Sequence, residues 1–167
     1  MPKIILKIET DTDKLYEKEN VSCYMIADSL SKNKIEEAKK TGKMVLSYGD
    51  KALDVCKQYD LDGVVKTIDV KKPLKVQAKA LRESLKKKTL GLIVPARRHE
   101  AMLAGEIEPE FIGFYSSDSE KDADVISWYN DLFLIPLAWV EEEKMPDKSL
   151  DVDFIIINSK NFKNFGC

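Results

Sequence analysis

Residues 44–66, MVLSYGDKALDVCKQYDLDGVVK, decide the fold. The apolar run Met44–Tyr48 is followed by Lys51–Tyr59, in which apolar residues recur at helical spacing. A short β-branched run, Gly63–Lys66, comes next. Strand, helix and strand in this order predict a right-handed βαβ unit, and therefore two parallel strands in one sheet.

The same rhythm extends along all 167 residues. Apolar, β-branched or aromatic runs predict strands at Ile4–Ile8, Val21–Ile26, Met44–Tyr48, Gly63–Lys66, Leu90–Val94, Phe111–Tyr115, Phe133–Trp139 and Phe154–Ile157. Most of these runs are almost continuously apolar, which is typical of parallel strands covered on both faces. Segments with helical periodicity lie between them, at Lys34–Thr41, Lys51–Tyr59, Pro73–Lys88, Arg98–Glu108 and Asp122–Leu132.

Eight alternating strands predict an α/β protein, a compact (βα)8 TIM-type barrel formed by residues 1–167 as a single domain. The chain is shorter than the ~250 residues typical of that fold. The deficit falls on Asp11–Asn20, Glu141–Asp151 and Lys160–Cys167, so outer helices one, seven and eight are expected to be shortened or missing. An open doubly wound sheet is the structural alternative. Missing helices would leave apolar strand faces bare near both termini, and we therefore expect a homodimer that covers them.

Composition argues against several classes of protein. The 27 Lys and Arg residues balance 29 Asp and Glu residues, whereas a nucleic-acid binder normally carries a basic excess. No apolar run approaches the ~18 residues that span a bilayer, and the first residues lack a signal-peptide pattern. Cys23, Cys56 and Cys167 form neither a disulfide framework nor a zinc pattern. A cytoplasmic protein without a membrane or nucleic-acid partner is expected.

In barrels of this kind the reacting groups lie at the carboxyl ends of the strands. After the sixth strand, Ser116, Ser117 and Ser119 precede Lys121 at a predicted helix start. Hydroxyls, free backbone amides and an ammonium group together suit a phosphate. Arg97 follows the fifth strand, and its guanidinium group can bind an anion through two parallel hydrogen bonds. A capping loop and solvated arginines are the alternative explanations of the same residues.

An acidic group ends three other strands. Asp28, Asp50 and Asp69 follow strands two, three and four, and together they are candidates for a magnesium site. Magnesium prefers one or two carboxylates together with substrate phosphates. Helix capping explains Asp50 equally well.

Glycines are absent where a phosphate cradle of this fold normally needs them, after strands seven and eight. After Gly113 the sequence has no glycine until Gly166. Trp139 and Glu141 follow strand seven instead, and they are expected to fill the mouth of the barrel or repel a phosphate there. The single histidine, His99, rules out a site that needs two and is expected at the surface or in a helix cap.

Four stretches carry a resemblance to a known family: Met44–Asp50 with the following helix and Asp62-Gly63-Val64, Arg97–Glu106, Pro109–Phe114, and Asp124–Trp139. In this order and spacing they are similar to the thiamine-phosphate synthase/TenI superfamily of small barrels. The resemblance covers Lys43 to Asn158, about two thirds of the chain, and identifies it as a divergent relative.

The resemblance implies a transferase that joins a hydroxymethylpyrimidine pyrophosphate to a thiazole phosphate and releases pyrophosphate with the help of magnesium. It implies a catalytic role for Lys121, phosphate binding by Ser116, Ser117, Ser119, Arg97 and Asn158, and magnesium binding by Asp50 and Asp69. A small phosphorylated ligand is the expected partner.

The sequence departs from the family where the function lies. The family's Gln-x-Arg-x-Lys after strand two is replaced by Ile26-Ala27-Asp28-Ser29, and its Gly-Gly after strand seven is missing. These departures favour the alternative, a catalytically inactive TenI-like binding or regulatory protein. A third and weaker option is another barrel enzyme that acts on a small phosphorylated ligand.

Overall fold

A computed structural model describes residues 2–141 and 150–165. Its strands are Lys3–Ile8 (β1), Val21–Ala27 (β2), Met44–Tyr48 (β3), Gly63–Thr67 (β4), Thr89–Pro95 (β5), Phe111–Tyr115 (β6), Leu137–Val140 (β7) and Phe154–Asn158 (β8). Its helices are Lys32–Lys40 (α1), Ala52–Tyr59 (α2), Leu74–Leu85 (α3), Arg98–Glu106 (α4) and Asp122–Leu132 (α5), followed by a terminal 3-10 helix, Ser159–Phe165.

The sheet is a closed parallel barrel. Each strand pairs in parallel with the next, and β8 pairs with β1 through registers such as Leu6 with Ile157. The predicted TIM-type barrel is therefore confirmed, and the open doubly wound sheet is excluded. No helix in residues 2–141 or 150–165 is both long and apolar enough to cross a bilayer.

Two apolar layers explain why the strand runs are almost continuously apolar. Alternate side chains of a strand point to opposite faces of the sheet. One set fills the barrel and consists of Ile5, Cys23, Met25, Leu46, Val65, Ile93, Phe111, Ala138 and Ile156. The other set, which includes Leu6, Tyr24 and Phe114, packs against the helices and loops outside.

Acidic residues tie neighbouring strands together at the amino end of the barrel. The acid directly before β4, β6 and β8 accepts a hydrogen bond from an amide of the preceding strand and donates its own amide to the same residue. Three such carboxylate latches occur in the described part: Asp62 with Val45, Glu110 with Leu90, and Asp153 with Leu137. The amide-to-carboxylate distances are 2.8, 2.6 and 2.9 Å, and the reverse backbone bonds are 2.9, 2.9 and 2.8 Å.

The loop that replaces the first outer helix covers the first strand. Residues 11–20 form no helix, as predicted, and Tyr16 in this loop stacks on Phe162 of the terminal 3-10 helix with ring centroids 4.2 Å apart. The Tyr24 hydroxyl donates to the Tyr16 carbonyl at 2.9 Å, and Ser159 Oγ donates to the Lys14 carbonyl. The first loop and the terminal 3-10 helix therefore pack together over β1 and β8.

This packing corrects the expectation of bare strand faces. Ile4, Leu6 and Ile8 on β1 are at most 6% exposed without any partner chain. The argument for a homodimer from an uncovered first strand is therefore wrong, and the homodimer itself stays a prediction. The segment of the missing seventh helix, Glu141–Asp151, lies mostly outside the described residues.

Strand seven is shorter than predicted. It begins at Leu137, whereas the apolar run begins at Phe133. Phe133 follows the last residue of α5, and its ring stacks on Tyr129 with centroids 4.8 Å apart. The ring also lies against Gly105 of α4, where a Cβ would be 2.5 Å from it. The start of this run is thus apolar because it packs between two helices.

Candidate functional site

A cup of about 350 Å³ opens at the carboxyl ends of the strands. Each strand supplies one residue to its lining, namely Lys7, Met25, Tyr48, Thr67, Ile93, Tyr115, Val140 and Ile156. The volume lies within the range of about 300–1,000 Å³ that is usual for small-molecule sites. The closed ring of strands is what brings these eight distant residues together.

Lys7 supplies the charge in the cup lining. It occupies an inward position of β1 between the outward residues Leu6 and Ile8, and its ammonium nitrogen lies 5.1 Å from the centroid of the Tyr48 ring. Its register partner on β8 is the buried Asn158. A cation over an aromatic face gains about 0.5–2 kcal/mol, depending on desolvation. The ring therefore helps to hold the ammonium at one side of the cup.

Two tyrosines and a threonine supply the other polar groups. Tyr48 ends β3 and Tyr115 ends β6, and both are half-buried. Thr67 ends β4 and is exposed at the rim. The predictions from sequence missed Lys7, Tyr48, Thr67 and Tyr115. The sequence did hold a signal, which is the alternation of side chains along a strand. Each of these residues stands an even number of positions after an inward apolar residue or glycine of its own strand, and therefore also points inward.

The predicted phosphate loop comes together in part. Arg97 Nε donates to Ser117 Oγ at 2.8 Å, which joins the ends of β5 and β6. However, Ser116 Oγ donates to Asp122 Oδ2 at 2.5 Å, and the Ser117 amide donates to Asp122 Oδ1 at 3.4 Å. Arg97 Nη1 also donates to Glu100 Oε1 at 3.2 Å. Carboxylates of the chain itself thus accept from the donors predicted to bind a phosphate.

The position of Asp122 makes this arrangement stable. It is 7% exposed and lies in the first turn of α5, where the helix dipole favours a negative charge. We call Asp122, Ser116 and Ser117 the serine lock. The sequence did not predict the serine lock, because an acid near the start of a helix is common and does not indicate a bond to a preceding serine.

The other predicted phosphate ligands lie apart from the serine lock or at its edge. Ser119 is exposed in the same loop, and Lys121 is exposed at the N-cap of α5. Asn158 is buried at the end of β8, beside Lys7 on β1. The structure therefore places Asn158 apart from the serine loop, and none of the predicted phosphate ligands is among the residues that line the cup.

Asp28, rather than Asp50, bonds to the backbone just before α2. Its Oδ2 accepts the Lys51 amide at 2.7 Å, next to the first residue of α2. The carboxylate lies against Gly49, which has φ +112°, and a Cβ there would be 2.5 Å from Asp28 Oδ2. Asp50 is exposed and does not form the helix cap.

Asp69 lies in a loop that is closed by hydrogen bonds among its own residues and Gln77. Its Oδ1 accepts the Lys71 amide at 3.0 Å, and Gln77 bonds both the amide and the carbonyl of Asp69 at 2.8 Å. Across the described ranges, no three His, Cys, Asp or Glu residues are grouped so that they could hold a metal ion. The predicted magnesium site needs only two carboxylates, so magnesium at Asp50 and Asp69 stays a prediction.

Trp139 does not fill the mouth of the barrel, contrary to expectation. It belongs to the outer apolar layer and is 4% exposed, while its neighbours Ala138 and Val140 face the interior. Because successive side chains of a strand point to opposite faces, the position of Trp139 between two inward residues directs its ring away from the barrel interior. His99 is exposed in the first turn of α4, as expected.

The two described cysteines are buried and unreactive by environment. Burial raises the pKa of the Cys23 thiol, with a smaller contribution from the charge of Asp62. Burial also raises the pKa of Cys56, which lies in the outer layer. Both thiols therefore remain protonated at neutral pH, which does not suit a nucleophile.

No protein-family model matches this chain, and no curated protein matches its sequence. Solved structures do resemble it in fold. A ligand-free form of tryptophan synthase from M. tuberculosis superposes with a TM-score of 0.66 at 10% identity, covering 95% of this chain and 83% of that chain. An open form of the same enzyme gives 0.66 at 9% identity with the same coverage, and an aminoacrylate-bound form gives 0.64 at 10%, covering 95% and 82%. At such identities the likeness shows the TIM-barrel fold alone.

Proposed function

We propose that the protein is a non-catalytic barrel that binds a small molecule in the cup. The ligand combines a flat apolar body with one anionic group. The observation that carries this proposal is the cup lining, in which all eight strands contribute and the charge comes from one ammonium held over a tyrosine ring.

Lys7 is the anion-binding group in this proposal. A carboxylate that accepts a hydrogen bond from its ammonium gains a charge-assisted bond, about 1.5–3 kcal/mol in a sheltered site. Asn158, the register partner of Lys7 on β8, is buried and lies outside the cup lining. Loss of the ammonium should weaken affinity by about 10- to 100-fold.

The remaining lining fits an apolar body. The rings of Tyr48 and Tyr115 and the side chains of Met25, Ile93 and Ile156 offer mostly carbon surface. Of the described residues that line the cup, none is a carboxylate or an imidazole. These are the commonest groups for general acid–base chemistry, so this lining supports binding better than catalysis.

The test is a set of thermal-shift and calorimetric titrations with benzoate, phenylacetate and their uncharged amides. We expect saturable binding of a carboxylate that is strongly reduced in Lys7→Gln, whereas any binding of the matching amide should not depend on Lys7. Lys3→Gln is the matched control, because Lys3 also lies on β1 but lines the opposite end of the barrel. Equal loss in both variants, or no binding of any probe, would contradict the proposal.

A second candidate is the transferase activity implied by the resemblance to thiamine-phosphate synthase. It is favoured by the contact of Arg97 with Ser117 at the ends of adjacent strands and by Lys121 in the same loop. In this alternative, Lys121 would stabilise the departing pyrophosphate, and Asp50 and Asp69 would hold magnesium.

Incubation with both precursors and magnesium distinguishes the two candidates. Thiamine phosphate that forms with the native protein and disappears in Lys121→Ala would support the transferase. Absence of product, together with no thermal stabilisation by pyrophosphate or either precursor, would reject it, since a ligand bound only by the folded state must raise stability.

A further inference from the structure

A second cavity opens at the amino end of the barrel, opposite the cup. This lower pocket has a volume of about 380 Å³. Its apolar wall is formed by Ile5, Met44, Leu46, Phe111 and Phe154, with Thr89 beside them. The inner apolar layer separates it from the cup, since Leu46 and Phe111 line only the lower pocket and Ile93 and Ile156 only the cup.

Two inward glycines shape this end of the barrel, because neighbouring atoms already occupy the place of their side chains. Layers of bulky branched side chains normally fill a barrel of this type. At Gly63, the first residue of β4, a Cβ would lie 1.8 Å from the Thr89 carbonyl oxygen, so no side chain fits there. At Gly91 a Cβ would lie 2.2 Å from the Phe111 ring, which occupies that space. The barrel thus lacks two side chains near its lower end.

Aromatic rings line the resulting space. Phe111 and Phe154 lie with ring centroids 6.5 Å apart at an interplanar angle of 50°. Met44 is 42% exposed although it starts an interior strand, because its side chain borders this opening. Two tilted rings and a flexible thioether form a surface that adapts to a small flat ring.

Two polar side chains at the opening, Glu110 and Ser22, are already bonded within the chain, whereas Lys3 is exposed at its rim. The Glu110 carboxylate accepts the Leu90 amide at 2.6 Å and Arg82 Nη1 at 2.9 Å. Ser22 Oγ donates to the Ile4 carbonyl at 3.2 Å. A ligand that carries polar groups would have to compete with these bonds, whereas an apolar ligand would not. The apolar wall and these two bonded groups therefore favour an uncharged ring inside the pocket, with the Lys3 ammonium outside in solvent.

We infer that the lower pocket is a second binding site, which takes a small uncharged molecule built on a single apolar ring. The volume of about 380 Å³ and the two tilted rings suit a small molecule with one ring. This site is independent of the cup, because it uses the opposite ends of the same strands. It adds a ligand class that lacks the anionic group expected in the cup.

Methionine methyl groups report on each cavity separately. Met44 lines the lower pocket, Met25 lines the cup, and Met102 is exposed on α4. In protein labelled at the methionine methyl carbon, with signals assigned by Leu substitution, toluene is titrated as the probe. We expect a saturable shift of the Met44 signal at toluene concentrations that leave Met25 and Met102 unchanged.

Thr89→Phe should abolish the Met44 shift by filling the lower pocket. Thr67→Phe is the matched control at the other end of the adjacent strand, and it should leave the shift intact. Thr89→Leu replaces Thr89→Phe if the larger side chain prevents folding. A Met44 signal that does not move in the native protein, moves in parallel with Met102 without saturation, or moves with protein concentration alone would overturn the inference.

Discussion

Removal of the Asp122 carboxylate tests the serine lock directly. In the native protein Asp122 accepts the Ser116 hydroxyl at 2.5 Å and, more weakly, the Ser117 amide at 3.4 Å. Asp122→Ala deletes both acceptors, whereas Asp122→Asn keeps one oxygen and removes the charge. The two variants therefore separate the loss of hydrogen bonds from the loss of charge.

The structure sets the size of the expected effect. A hydrogen bond to a charged group contributes about 1.5–3 kcal/mol, and the long Ser117 bond adds little. A carboxylate in the first turn of a helix adds about 0.3–1 kcal/mol. Asp122→Ala should therefore destabilise the fold by about 2–4 kcal/mol, which lowers Tm by about 4–16 °C in a chain of this size. Asp122→Asn should cost about half as much.

The same change should release an anion site. In Asp122→Asn the repelling charge beside Arg97 is gone, and the one remaining amide oxygen holds the serine donors less strongly than the carboxylate does. Inorganic pyrophosphate at ten times its Kd stabilises a protein by about 1.4 kcal/mol, so Tm of the variant should rise by about 3–6 °C. The native protein should gain much less.

Differential scanning fluorimetry with and without pyrophosphate measures both effects. Asp124→Ala and Asp124→Asn are the matched controls, since Asp124 is an exposed acid in the same helical turn. The reasoning would be refuted if Asp122→Ala and Asp124→Ala changed Tm equally, or if the native protein and Asp122→Asn gained the same stabilisation from pyrophosphate.

Three further predictions concern stability and reactivity. Burial, and secondly the charge of Glu17, raises the pKa of Tyr24 from 10.0 to about 12. The folded state thus favours the neutral phenol, and this preference contributes about 3 kcal/mol to the free energy of unfolding. The contribution is complete below pH 10 and is lost as the pH rises towards 12. Alkaline unfolding curves should show this loss, and it should shrink in Tyr24→Phe. In Cys167→Ser, no thiol should react with Ellman's reagent until denaturant exposes Cys23 and Cys56, and prompt reaction of the native variant would contradict the burial argument. Gly63→Ala should cost about 3 kcal/mol or more in urea unfolding, because its Cβ would meet a backbone oxygen that cannot move aside, and a neutral result would show that the strands separate easily.

Local patterns predicted most of the scaffold. The bounds of β3, β6 and α5 agree with the sequence, because each is an uninterrupted run with a turn signal at its ends. The prediction failed at Phe133, where an apolar residue packs between helices instead of in a strand. Apolarity reports burial, and it does not report which surface a residue is buried against.

The candidate site was less accessible to prediction. Lys7 belongs to the cup only because the barrel closes and β1 becomes the neighbour of β8. The serine lock depends on the fold of one loop, which turns Asp122 back onto Ser116. Neither contact can be inferred from the spacing of residues in the sequence. The first depends on barrel closure, and the second depends on the path of the backbone through one loop.

The closing seam between the first and last strands has a consequence for synthesis on the ribosome. A nascent chain presents β1 first, yet one edge of that strand stays unpaired until residues 154–165 emerge to complete it. The Tyr16 ring likewise cannot stack on Phe162 until Phe162 has been translated. Since an open sheet edge recruits other strands, the early polypeptide would be most vulnerable to aggregation just before translation of this segment ends. Slow codons placed shortly upstream of residue 154 should therefore lower the soluble yield.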